Sequence, residues 1–134
     1  MKRLLAYLFL VLSLGILFNV NAEDKPKSWI GIEFIEVTED LIKKKKLSID
    51  TPKNIIVTGV VKTSAADEAK ILPEDIIISI DNNIIKKSQD LINLLKSTKP
   101  GDIISAKIYR NGTIITKKIK LKKYPDPGFK AEWV

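Results

Sequence analysis

Cysteine and histidine are both missing from the 134 residues of this chain. Without cysteine there is no disulfide framework, no thiol nucleophile and no thiolate metal site. Without histidine the usual general base and the commonest metal ligand are gone. Serine–lysine chemistry needs neither, but no Gly-x-Ser-x-Gly elbow or Ser-x-x-Lys pattern stands out. Asp81-Asn82-Asn83 lacks the spaced acids and closing glutamate of a calcium loop. The chain therefore reads as no enzyme, with no catalytic residues, no metal and no cofactor. Acids are also scarce, 16 against 23 bases, for a net charge of +7. That balance attracts anionic surfaces without establishing nucleic-acid binding, and no nucleic acid is expected as a partner.

Long apolar runs are rare as well, and the one present is at the start. Residues 1–22 read as a secretory signal. Lys2 and Arg3 give a positive start, residues 4–18 are apolar, and Val20-Asn21-Ala22 suits a signal peptidase. Cleavage after Ala22 would take the charge from +7 to +5. The location expected is periplasmic or secreted. The alternative is an uncleaved inner-membrane anchor in residues 4–20, although the run is short for a span of ~20 residues. With no cysteine after the site, lipid modification there is excluded.

What is abundant is isoleucine, and β-branched residues favour strands. After a polar lead at residues 23–28, residues 29–36 alternate as a first strand. Thr38 starts a helix that carries Lys43, Lys44, Lys45 and Lys46 and runs to about Leu47. Residues 55–61 form a second strand, and Ser64 caps a short helix over residues 65–70. Residues 76–80 are too uniformly apolar to show alternation and read as a central strand covered on both sides. Ile84-Ile85 is a short fourth strand. Ser88 opens the main helix, which ends near Thr98. Residues 103–110 and 113–122 form a hairpin about Asn111-Gly112, a pair suited to a positive-φ turn. Ile104, Ala106 and Ile108 on one arm, and Ile115, Ile119 and Leu121 on the other, are its core residues. Ile56 or Val57, with Val60, serves the second strand. Tyr124-Pro125-Asp126-Pro127-Gly128 opens a flexible tail, residues 124–134.

Four marks then fall in a fixed order: Trp29-Ile30-Gly31-Ile32; Val57-Thr58-Gly59-Val60 followed by Ser64-Ala65-Ala66; Pro73-Glu74-Asp75 before an isoleucine-rich strand; and Asp90-Leu91-Ile92-Asn93-Leu94-Leu95. Together they resemble a PDZ domain of the bacterial HtrA/DegP type, free-standing and without the protease domain. The resemblance spans residues 29–122 and assigns residues 29–123 to the domain. It departs from the family pattern where Ala65 replaces proline and where Lys70 and Glu74 replace glycine. If φ stays positive at the last two, each costs about 1 kcal/mol. The fold implied is α+β: a small, partly open β-barrel of five to six strands capped by two main helices.

The resemblance implies a module that binds apolar C-terminal segments of other proteins by strand addition. The amides of Ile30, Gly31 and Ile32 would cradle the carboxylate, because a glycine turn aims successive N–H groups at one point. Trp29, Phe34, Ser88, Ile92 and Leu95 would complete the groove, with the last peptide side chain between Ile30, Ile32, Ile92 and Leu95. Gly31→Val is expected to abolish binding and spare the fold. Alternatives stay open for several residues: strand entry for Gly31, sheet packing for Trp29, helix–sheet packing for Ile92 and Leu95, and capping for Ser88. The role implied is an adaptor for a protease or chaperone supplied in trans. The alternative is a structural interaction subunit of a cell-envelope assembly, such as a secretion machine.

Two further features stand outside the groove. The four lysines are either a solvated helix or a contact for anionic membrane or cell-wall polymer. The tail ends in Trp133-Val134, apolar like the ends such grooves take. As a self-ligand it would fill its own groove or a neighbour's, giving autoinhibition or self-association.

Overall fold

The computed structural model describes residues 25–134. The signal reading of residues 1–22 lies outside the described residues. Among the described residues, eight strands and three helices follow one another as β1 (Ser28–Trp29), β2 (Ile32–Glu36), α1 (Glu39–Lys44), β3 (Ile55–Val60), α2 (Ala65–Glu68), β4 (Ile76–Ile80), β5 (Asn83–Ile84), α3 (Ser88–Lys96), β6 (Ile103–Arg110), β7 (Thr113–Lys120) and β8 (Lys122–Lys123). Six antiparallel strands make one open sheet in the order β2-β3-β4-β6-β7, with β5 beside β4. β1 and β8 form a second, two-stranded ladder.

The isoleucine pattern explains the layering. On β6 every second residue, Ile104, Ala106 and Ile108, turns into the main core, and Ile119 and Leu121 meet them. Ile55, Val57, Val60, Ile77, Ile80 and Leu91 of α3 complete that core. Successive strand residues face opposite sides, so the intervening Ile56 and Ile76 build a second cluster with Val37, under Leu41 and Ile42 of α1 and beside Ile78 and Tyr109. β4 is thus central and covered on both faces, as its unbroken apolar run required. Both cores draw only on residues between Ile30 and Leu121.

The turns follow their residue types. Asn111 and Gly112, with φ of 48° and 80°, close the β6–β7 hairpin as expected. Lys70 and Glu74 sit at φ 64° and 78°, where the family pattern has glycine, and so carry the cost anticipated above. The helix of the lysine run is shorter than the sequence suggests. It stops at Lys44, and Lys46 turns to φ 54°, so only Lys43 and Lys44 are helical. Ser64 caps α2 by accepting from the Asp67 N–H at 3.2 Å.

Asp75 opens β4 with 1% exposure. Its carboxylate takes both prongs of Arg110, from Nε at 2.8 Å and Nη2 at 2.7 Å, and the Leu72 N–H at 2.8 Å. The bond to Asp75 holds the Arg110 proton more tightly than usual. Asp75 stood out in the sequence as part of Pro73-Glu74-Asp75 before the strand; its partner Arg110 did not.

The tail departs from the flexible segment expected. Phe129 meets Trp29 edge-on with ring centroids 5.5 Å apart. Lys62 N–H donates to Glu132 O at 2.7 Å and Val134 N–H to Val60 O at 2.8 Å, around an antiparallel bridge between Val61 and Trp133. The physical reason is an unfilled margin: β4 pairs only with the first part of β3, and the tail takes the rest. Gly59 makes room, since a Cβ there would lie 3.0 Å from the Trp133 ring. Trp133→Ala is expected to cost about 1–2 kcal/mol, the value of a half-buried aromatic, read as a lower urea midpoint with unchanged slope.

Candidate functional site

β2 is an outer strand of the sheet, and α3 packs beside β1 and β2. The seam between them is the candidate groove. Backbone bonds fix which way β2 presents its groups. Val61 N–H donates to Gly31 O at 2.9 Å, so Val61 faces β2 and its neighbour Val60 faces away, toward the tail. Ile32 is opposite Val60. That pair is non-hydrogen-bonded, and Ile32 turns its N–H and C=O to the outer side, toward α3. Phe34, opposite Val57, has the same parity, because Val57 N–H donates to Asp75 O.

The loop before β2 splits the single strand expected over residues 29–36. Gly31, at φ 86°, makes the break. Its surroundings orient the amides. Ala66 N–H donates to Ile30 O at 2.9 Å, and Val61 N–H to Gly31 O. In a trans peptide the C=O and the following N–H point in opposite directions. The inward carbonyls of Ile30 and Gly31 therefore turn the amides of Gly31 and Ile32 outward, at the groove's end. Two of the three expected cradle amides are aimed this way; these bonds do not place the Ile30 amide.

The Ile30 side chain is 3% exposed in the main core, so it is no groove wall, a correction to the pocket expected. Ile32, Phe34 and Leu95 are half-buried and pack against that core from the groove side. Ile92, also half-buried, lies on the helix face of Ser88 and Leu95, while Leu91 is core and 1% exposed. Trp29 is half-buried, held by β8 and by Phe129. Trp133 and Val134 lie on the β4 side of β3, away from β2. In this conformation they occupy a strand position and not the groove.

Two further corrections concern Gly31 and Ser88. A Cβ on Gly31 would meet Ser64 Cβ at 2.1 Å, so Gly31→Val would not spare the fold. Ser88 is the first helical residue and not the cap. The first amide of α3 is served from β2, Ser88 N–H donating to Glu36 Oε2 at 3.0 Å, while Asp90 within the helix reaches back to accept from Lys86 and Lys87 N–H at 2.9 and 3.0 Å. Those backbone bonds hold the Asp90 carboxyl below its ordinary 3.8. Glu36 thus ties the far end of β2 to the start of α3, at the end opposite the Gly31 loop. At the near end Thr98 Oγ1 bonds Ser28 Oγ at 3.0 Å. No local signal marked Glu36, which reads as an ordinary outward strand residue.

A shallow depression lined by Asn83, Ile85, Asp90 and Leu94 lies on the other face of α3, away from β2. Among the described residues no acid cluster could hold a metal, and no helix is long and apolar enough to cross a membrane.

An open antiparallel sheet whose outer strand and facing helix bound a groove, with a glycine loop at its mouth, defines a PDZ fold. Residues 28–121 match the PDZ domain family, and the chain belongs to it. A probable periplasmic serine endoprotease DegP-like from Hahella chejuensis is 31% identical over 99 residues, covering 74% of this chain and 21% of that protein. The chain thus spans about a fifth of the length of that relative. Among solved structures, the HtrA-type protease AlgW with a decapeptide superposes with a TM-score of 0.69 at 28% identity, covering 75% of this chain and 30% of that one. The HtrA3 PDZ domain bound to a phage-derived ligand, FGRWV, shares the fold, with a TM-score of 0.60 at 20% identity over 72% of this chain and 86% of that domain.

Proposed function

We propose that this chain captures the apolar C-terminal ends of other proteins, adding them as a strand beside β2, and works in the periplasm as an adaptor for a protease or chaperone. The observation that carries this reading is the pair of amides, Gly31 and Ile32, turned outward at the head of an outer strand. The carboxylate seats on these amides, and the peptide backbone bonds the outward groups of β2. Ile32, Ile92 and Leu95 offer the last side chain an uncharged wall, which suits an end such as that of FGRWV. The periplasmic setting is supported by the DegP-like relatives.

The peptide FGRWV, as free acid and as C-terminal amide, separates the readings by calorimetric titration. The free acid is expected to bind about tenfold or more tightly than the amide, since hydrogen bonds to a charged group are worth ~1.5–3 kcal/mol. Equal affinities would remove the cradle and leave the structural-subunit role. No binding of either would remove the peptide function.

A further inference from the structure

The side of the sheet remote from the groove carries a second surface. β6 and β7 pair with Ile103 opposite Lys120, Ser105 opposite Lys118, Lys107 opposite Thr116 and Tyr109 opposite Ile114. Strand alternation puts all eight on the face away from the main core, the face that α1 covers at its Tyr109 end. The remainder is uncovered. Lys107, Lys118 and Lys120 are exposed, and Ile103 and Ile114 are 63% and 58% exposed. Lys43 and Lys44 lie exposed on α1 beside it, and Ile49, 87% exposed, follows that helix.

None of these five lysines forms an ion pair among the described residues, whereas Lys45, Lys53 and Lys122 each do. Two nearby acids are engaged with backbone, Asp81 Oδ1 accepting from Ser105 N–H at 2.8 Å and Asp102 Oδ2 from Lys99 N–H at 2.9 Å, while Asp40, exposed on α1, sets one negative charge beside Lys43 and Lys44. Lysines on an outer strand deter edge pairing. That accounts for Lys118 and Lys120 on β7, but not for Lys107 on the inner strand β6, nor for three bare isoleucines.

We infer that this face docks on a negatively charged lipid bilayer. Unpaired lysines on one face complement anionic headgroups. The isoleucines decide between a bilayer and a soluble acidic polymer, because an interface takes up apolar side chains and a polyanion does not. The groove, walled by α3 on the other side of the sheet, stays open while the face is seated.

The test uses residues 25–134, which hold both cores whole, so that the apolar N-terminal run does not contribute. Co-sedimentation with mixed phosphatidylglycerol–phosphatidylcholine vesicles is expected at low salt, with none on phosphatidylcholine alone and release at high salt. Reversing Lys107, Lys118 and Lys120 to Glu should lower partitioning by about a hundredfold or more, at about a kcal/mol per lysine. Circular dichroism and the melting midpoint confirm that the variant is folded. Ile103→Ser with Ile114→Ser, which keeps every charge, should lower it severalfold. Equal binding to both vesicles, or no binding to either, would overturn the proposal. So would lysine reversal without effect, or an isoleucine pair without effect while polyphosphate binds and competes.

Discussion

Arg110→Ala is expected to lower stability by about 3–5 kcal/mol, the cost of leaving a buried charge without its partner. Asp75 keeps 1% exposure, and its side chain accepts three hydrogen bonds, two of them from Arg110. After the substitution only the Leu72 N–H remains. The carboxylate must then stay charged in a site water hardly reaches, or take up a proton. A fall in melting temperature of more than ~12 °C should result. In an Asp75→Asn background the same substitution should cost far less, because no charge is stranded. A loss under ~1 kcal/mol in the Asp75 parent would show that Arg110 does not hold this carboxylate.

Gly31→Ala is expected to be nearly as damaging, and through a different mechanism. The added methyl would stand 2.1 Å from Ser64 Cβ and 2.6 Å from Ser64 Oγ, at a φ of 86° that L-residues avoid. Backbone must move, because Ser64 caps α2 and cannot swing aside. Overpacking of this kind costs ~1–3 kcal/mol, with ~1–2 kcal/mol of backbone strain added. Ser64→Gly removes both contacts and, as a cap, loses only a few tenths of a kcal/mol. The double variant should therefore recover most of the steric part. A double variant no more stable than Gly31→Ala alone would place the damage in the backbone conformation, not in the contact.

Much of the fold was legible because it is written locally. Alternation on β6 named Ile104, Ala106 and Ile108, Asn111-Gly112 named the hairpin turn, and the glycine-type positions at Lys70 and Glu74 kept positive φ. Gly31 was singled out as a turn glycine and does take a positive φ, but its tight fit against Ser64, 33 residues away, left no local trace. The same holds for Glu36 reaching Ser88 and for Arg110 reaching Asp75, pairs 52 and 35 residues apart. Each is one charge among 39, and nothing near it in sequence singles it out. The tail was misread for a related reason. Proline and glycine at residues 125–128 announce a break, but not that an unfilled margin of β3 waits beyond it.

That docked tail has a consequence for solubility. A sheet with several bare margins polymerises, since any exposed strand can template another. Here the far margin, β7, is studded with lysines, and the free part of β3 is sheathed by residues 132–134. Two margins other than β2 are thereby blunted, which leaves fewer edges on which one molecule could template another.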